Sequence, residues 1–397
     1  MKYSDLAMDL KASEIRELLK LTTMPQVISF AGGLPAPELF PTEELKKVDE
    51  EVLTKEGKQA VQYGTTEGYL PLREKIAKRM KQAFMVDCSA DEVMITSGSQ
   101  QGLSLLAQIF LNKDDVVLVE SPTYLGAINA FKLCAPQFVE VPTDEKGVIP
   151  EELEKILAEY GPRVRMMYVI PEFQNPTGIT WPLERRKQFM EIINQHDFPV
   201  LEDDPYGELR YDGEKVPSLK SMDTKGNIVF LGSFSKIFMP GLRIAWMVAK
   251  PEIVDKIVKL KQAVDLQSSS FAQRQTSYYI DMYDLDKHVE KIKALYKKRR
   301  DLMCQTMKEE FPKEITFTYP EGGLFTWVTL PEGMDAKEIM PKVLAKDVAY
   351  VPGGPFYPNG GNANHFRLNY SNMPEERIVE GIKRLADVLK EEMASLK

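Results

Sequence analysis

Asn227-Ile-Val-Phe-Leu-Gly-Ser-Phe-Ser-Lys236 opens as an uncharged, mostly apolar run and closes on two hydroxyls and a lysine. A short run of β-branched and aromatic residues reads as a strand. One without polar alternation reads as buried on both faces. The same texture recurs through the middle of the chain. It appears in Val93-Met-Ile-Thr-Ser97, Val116-Val-Leu-Val-Glu120, Gln137-Phe-Val-Glu-Val141 and Arg165-Met-Met-Tyr-Val-Ile170. It returns in Pro199-Val-Leu-Glu-Asp203 and Arg243-Ile-Ala-Trp-Met-Val248. Helical patterns lie between several runs, as in Leu183 to Gln195, where Ile192 and Ile193 oppose Arg185, Arg186 and Lys187. The alternation predicts an α/β fold whose large domain, residues 46–285, holds a mostly parallel seven-stranded sheet between helices.

Beyond residue 285 the texture changes. A long charged helix over His288 to Glu310 leads to Ile315–Tyr319, Gly323–Thr329, Ala349–Val351 and His365–Tyr370, which alternate better. They predict a smaller α+β domain over residues 286–397, with one solvated sheet face. Residues 1–45 read as a helix from Ser13 to Leu21, with Ser13 as N-cap, and a Gly/Pro-rich turn. That segment is expected to pack on the small domain or over the cleft.

Bulk properties narrow the function classes. A chain of 397 residues is long for one core, so two domains are the natural expectation. With 43% hydrophobic and 28% charged residues it reads as globular. A net charge of −8 argues against a nucleic-acid partner, which would want a basic stripe. No apolar run is long enough to span a bilayer. The first residues, Met1 to Lys11, carry acids and lack an apolar core, so no signal peptide is expected and cytoplasm is the default. Cys88, Cys134 and Cys304, with His196, His288 and His365, show no metal-ligand spacing. Three free thiols and no metal are expected.

In parallel sheets, ligands bind beyond the carboxyl ends of the strands, where Gly98, Asp203 and Ser233 fall. Lys236 follows Ser233 and Ser235, and Arg243 comes seven residues later. A lysine there can hold an aldehyde by Schiff base while its neighbours hold a phosphate, which nominates pyridoxal 5′-phosphate (PLP). Gly98-Ser-Gln-Gln101 opens the helix pattern Leu103–Phe110. It is either an anion seat or a plain strand-to-helix turn capped by Ser99. Asn175-Pro-Thr-Gly178 alone is a turn. Leu201-Glu-Asp-Asp-Pro-Tyr206 ends a buried run in three acids, costly unless paired. One of them could bind a protonated pyridine nitrogen, or cap a helix. Arg367 alternates with apolar neighbours in Phe366-Arg-Leu-Asn-Tyr370. Its planar fork suits a carboxylate, and the alternative is an arginine on a solvated face.

Their order is more specific than any one of them. Gly98-Ser-Gln-Gln101, Ser121-Pro-Thr-Tyr124, Asn175-Pro-Thr-Gly178, Glu202-Asp-Asp-Pro-Tyr206, Ser233-Phe-Ser-Lys236 and Phe366-Arg-Leu-Asn-Tyr370 form a series. It resembles the fold-type I PLP-dependent aminotransferases over almost the whole chain. Ser29-Phe-Ala-Gly-Gly-Leu-Pro-Ala-Pro-Glu-Leu-Phe-Pro41 and Gln62-Tyr-Gly-Thr-Thr-Glu-Gly-Tyr-Leu-Pro-Leu-Arg-Glu74 are similar to the kynurenine / 2-aminoadipate branch.

The resemblance implies a role for each site residue. Lys236 would hold the cofactor by Schiff base, and Asp203 would keep the pyridine nitrogen protonated. Tyr206 and Asn175 would bond the phenolic oxygen, and Tyr124 would stack on the ring. Ser99, Gln100, Ser233, Ser235 and Arg243 would hold the phosphate. Tyr63 would reach the phosphate of a neighbouring subunit, which implies a homodimer with shared sites. Arg367 would clamp the substrate α-carboxylate, helped by Asn175 and the backbone near Gly33. Arg16 matches a helix arginine that in relatives receives a side-chain carboxylate. Glu202 and Asp204 read as structural. Departures from the pattern, Ile237-Phe-Met239 and Gly102, touch none of these groups.

The implied reaction is ping-pong transfer of an amino group to a 2-oxo acid such as 2-oxoglutarate. The donor would be 2-aminoadipate or an aromatic or branched-chain L-amino acid. A PLP-dependent lyase or decarboxylase on the same fold is the alternative, and a regulator-type domain a remote one.

Overall fold

The structure is a computed structural model that describes residues 1–9 and 24–395. The expected helix from Ser13 to Leu21 lies outside the described residues.

A two-residue strand, β1 (Ile28–Ser29), precedes the main sheet. The sheet is built from β2 (Val93–Thr96), β3 (Val116–Ser121), β4 (Gln137–Asp144), β5 (Gly147–Val148), β6 (Val164–Val169), β7 (Val200–Asp204), β8 (Ile228–Ser233) and β9 (Ala245–Val248). Its strand order is β2-β9-β8-β7-β6-β3-β4-β5. The seven expected strands are all present. β5 adds an eighth at the edge, as an antiparallel hairpin with β4.

β8, β7, β6, β3 and β4 run parallel, and β9 runs against both β8 and β2. β2 therefore points the same way as β8. As a result the carboxyl ends of β2, β3, β6, β7 and β8 share one edge of the sheet.

Both faces of this sheet are covered, which is why its strands read as unbroken apolar runs. Alternate residues enter different cores. Val117, Tyr168, Leu201 and Val229 pack with Leu103 and Leu106 of the helix Ser99–Phe110. Val116, Met167, Val200 and Ile228 pack on the other side with Leu153, Phe189 and Ile193. Gly102 lets that first helix lie against the sheet, since a Cβ there would stand 3.0 Å from Leu231 Cδ2.

The second sheet is antiparallel and joins β10 (Thr316–Phe317), β11 (Phe325–Thr329), β13 (Val351–Pro352) and β14 (His365–Asn369), in the order β10-β11-β14-β13. β12 (Val348–Ala349) pairs in parallel with β1. Phe30 extends that join, donating to Ala349 O and accepting from Asn369 N, both at 2.8 Å. On one side Phe366 and Leu368 share a core with the helices Leu285–Glu310 and Glu375–Ser395, through Met303, Met307, Ile382 and Leu385.

The other side departs from the expected solvated face. Phe325, Trp327, Arg367 and Asn369 are all buried. Trp327 and Arg367 are register partners, and the Arg367 side is covered by Phe356 and by groups reaching across from the first sheet. Among the described residues, no helix is long and apolar enough to cross a membrane.

Candidate active site

The shared edge of strand ends meets the Arg367 side of the second sheet around a cavity of about 420 Å³. Its floor is β7. Three acids stand in line there, and the backbone treats them differently. Glu202 accepts from Ser218 Oγ at 2.7 Å and from the Leu219 and Lys220 N–H groups at 2.8 Å. Asp204 accepts from Gly207 N at 2.6 Å. Both serve structure. Asp203 faces the cavity and accepts at Oδ2 from Tyr168 Oη at 2.8 Å. Its Oδ1 is buried with no hydrogen-bond partner among the described residues. Burial pushes the Asp203 carboxyl up to about 7, against the Tyr168 bond that favours the ionised form.

Lys236 follows β8 and also lines the cavity. Its Nζ donates to Gly33 O at 2.7 Å. Burial first, then the charges of Arg367 and Arg243, bring this amine down to about 8. An amine so placed keeps a reactive neutral fraction near neutral pH.

One end of the cavity is built for an anion. Gly98 has φ +80°, and a Cβ there would collide with the Arg243 guanidinium. It caps the helix Ser99–Phe110 without a side-chain bond, so Ser99 is the first helical residue and not the N-cap. The unpaired N–H groups of a helix start favour a negative ligand. Ser99, Gln100, Ser233, Ser235 and Arg243 all line this end. Ser233 Oγ accepts from Ser235 N at 3.0 Å, and Gln100 Nε2 donates to Gly126 O at 2.8 Å. Tyr124 lies back over Gly126, where a Cβ would meet its ring.

The opposite wall carries Arg367. Its Nη1 donates to Asn175 Oδ1 at 2.7 Å and its Nη2 to Ala31 O at 2.8 Å. Phe325 lies 4.1 Å and Phe356 5.2 Å from the guanidinium carbon, measured to the ring centroids. Burial lowers its pKa to about 10, which leaves it charged at neutral pH. Asn175 Nδ2 reaches Tyr206 Oη at 3.4 Å. Burial holds the Tyr206 phenol far above its ordinary range, so it stays a donor.

A family model described as "Aminotransferase class I and II" matches residues 27–385. The chain belongs to this family.

Among its relatives is an aromatic-amino-acid aminotransferase 1 of Thermococcus litoralis, 48% identical over 98% of this chain and 94% of the relative. A Pyrococcus horikoshii kynurenine aminotransferase, solved in complex with PMP, has a TM-score of 0.95 at 45% identity. The match covers 98% of this chain and 97% of that one. An α-aminoadipate aminotransferase from Thermus thermophilus, complexed with N-(5′-phosphopyridoxyl)-L-leucine, has a TM-score of 0.92 at 40% identity. That match covers 99% of this chain and 98% of the other.

The chain is thus an aminotransferase, and its cofactor is pyridoxal 5′-phosphate. The residues present fit that group. Asp203 Oδ1 is open and could accept a ring N–H, Gly98 and Arg243 would frame a phosphate, and Lys236 would offer an amine to an aldehyde.

One expected site residue of this aminotransferase is not in the cavity. Tyr63 is 76% exposed and lies outside it. Arg16 lies outside the described residues. Others join the site without having been expected. Tyr168, read only as part of an apolar run, holds Asp203. Phe325 and Phe356 face Arg367, and Leu125 and Asn129 line the anion end.

Proposed function

We propose that this aminotransferase moves the amino group of an aromatic, 2-aminoadipate or branched-chain L-amino acid to a 2-oxo acid such as 2-oxoglutarate. It would do so as a cytoplasmic homodimer. The names of the relatives support the first two donor classes. The observation that carries the site assignment is the meeting, in one cavity, of a lowered amine, an open carboxylate oxygen and a buried guanidinium.

Bound PLP supplies an electron sink for the bond broken at the substrate α-carbon. Lys236 would hold the cofactor, then take the proton from the substrate α-carbon as general base and deliver it as general acid to C4′, the former aldehyde carbon. Asp203 Oδ1 would accept the ring N–H. A cation beside it pulls the carboxyl back down from about 7, so it would stand ionised. Tyr206 and Asn175 would donate to the phenolic oxygen, and Tyr124 would lie on the ring. Ser99, Gln100, Ser233, Ser235 and Arg243 would take the phosphate. Arg367 would clamp the α-carboxylate beside Asn175 and the Gly33 backbone. The rings of Phe325 and Phe356 would exclude water from that pair.

Tyr63 would serve the partner's phosphate, which accounts for a large aromatic left exposed on one chain. Residues 46–285 would form the large domain and 286–397 the small one, with 1–45 packed on the small domain or over the cleft. Arg16 would receive the side-chain carboxylate of an acidic donor.

A panel of amino donors against 2-oxoglutarate tests the substrate reading. Aromatic donors and 2-aminoadipate should lead the panel. Arg16→Ala should hurt 2-aminoadipate more than phenylalanine, and equal losses would remove Arg16 from the site.

A further inference from the structure

Behind the anion end lies a charge cluster that the assignment above leaves unused. Lys261 sits on the helix Pro251–Val264, and its side chain is 0% exposed. Its Nζ donates to Asp265 Oδ1 at 2.7 Å and Oδ2 at 2.9 Å, and to Gln101 Oε1 at 2.7 Å. Gln101 Nε2 closes the ring onto Asp265 Oδ2 at 2.6 Å. Gln101 Oε1 also accepts from Ser97 N at 2.9 Å, and Ser97 Oγ pairs with Ser268 Oγ at 2.9 Å.

These bonds converge on one turn, Ser97-Gly98-Ser99. Ser97 N is taken by Gln101, Gly98 N by Thr96 O, and Gln101 N by Gly98 O. The N–H groups of Ser99 and Gln100 belong to the open start of the helix, and both residues line the cavity with Arg243. Burying a lysine is a poor route to stability, since an apolar residue of similar size would serve as well or better. A buried cation with three directed bonds does fix geometry, and the geometry it fixes is that of the anion seat.

We propose that Lys261 is a positioning residue for the cofactor phosphate. Through Gln101 and Asp265 it holds the Ser97–Ser99 turn in the shape that receives the anion. The inference rests on the phosphate being seated at that turn, as assigned above.

The test compares two ligands on the full chain. PLP carries the phosphate. Pyridoxal offers Lys236 the same aldehyde without it. Affinity for each is measured by absorbance titration of the dialysed protein. Lys261→Met should weaken PLP by roughly 10-fold or more, the range of a lost hydrogen bond to a charged group, and leave pyridoxal unmoved. Equal losses for both ligands would show a merely structural role and overturn the inference, as would no loss for PLP. If Lys261→Met fails to fold, Gln101→Met removes the link to Ser97 while leaving the Lys261–Asp265 pair, and the same outcomes apply. Arg243→Gln separates the two levels of the argument. If it weakens PLP over pyridoxal and Lys261→Met does not, only the role of Lys261 falls. If neither does, the seat itself lies elsewhere.

Discussion

The floor of the cavity and its Arg367 wall solve opposite problems. On the floor, polar atoms are left open. Asp203 Oδ1 has no partner among the described residues, although Glu202 beside it on the same strand is saturated by three donors. On the wall, Arg367 is already engaged at both terminal nitrogens and lies between two phenyl rings. An open buried oxygen costs stability until its partner arrives. The Arg367 Nε is likewise buried with no partner among the described residues, but both terminal nitrogens are already held, so the guanidinium needs little rearrangement when the substrate comes. On the proposed assignment the floor would be completed by its cofactor, and the wall would stand ready for one substrate after another. That division suits a reaction in which the cofactor stays and two substrates alternate.

The floor should break hardest. Lys236→Ala should lose roughly 10⁴-fold in turnover, the upper range for a positioned acid–base group. It should also lose the Schiff-base absorbance while still binding PLP. Survival of both the band and the turnover would overturn the floor assignment. The wild-type amine sharpens the point. Below about 8 it is charged and cannot attack an aldehyde. Capture of PLP by the dialysed protein should therefore slow by roughly tenfold per pH unit below that value, and level off above it. Asp203 titrates nearby, so the diagnostic is a variant: Arg367→Met should move the midpoint upward, because the Arg367 charge is the largest contributor after burial.

Asp203→Asn comes next. It keeps shape and removes charge, so turnover should fall by ~10²–10³-fold, as for other lost electrostatic stabilisers. A loss below threefold would mean that the open oxygen has no cofactor partner. On the wall, Arg367→Met should cost about 2 kcal/mol or more in kcat/KM, felt by every amino donor alike. A loss confined to one donor class would make Arg367 a side-chain reader instead of the α-carboxylate clamp.

The same contrast explains what could be read from the residues alone. A strand covered on both faces has no polar alternation, so β3, β6, β7 and β8 announce themselves, and with them the edge that carries Gly98, Asp203 and Lys236. β5 does not, because Gly147 and Val148 are too few to show a pattern. The wall was legible only in part. Alternation along β14 set Phe366 and Leu368 in the core and left the Arg367 side open to two readings, a face on the cleft or a solvated one. That face is covered by Phe325, Phe356 and Asn175, which come from elsewhere in the chain, and no local window contains them. Tyr168 was hidden for the opposite reason. Its ring belongs to the apolar run, and only the hydroxyl, pointing at Asp203 from the next strand, does anything polar.

The smallest expected effect is the one that tests why the wall is rigid. Phe356 lies farther from the guanidinium than Phe325 does, at 5.2 Å against 4.1 Å, and it also packs edge-on against Trp327 at 5.6 Å. Its backbone carbonyl accepts from Thr123 N at 2.9 Å, a bond that any side chain preserves. Phe356→Leu removes the ring face and keeps most of the volume. A cation–π contact contributes about 0.5–1 kcal/mol when exposed and ~2 kcal/mol when desolvated, and at 5.2 Å, near the outer limit of its range, this one falls at the lower figure. KM for amino donors should rise by a factor of ~2–5, with kcat unmoved, because Lys236 and Asp203 are untouched. Phe356→Tyr should restore KM, since the ring face returns. If instead Phe356→Leu matched Arg367→Met, the guanidinium would owe its position to the rings. The bonds to Asn175 and Ala31 would then be too weak to hold it, and the wall would be no more pre-formed than the floor.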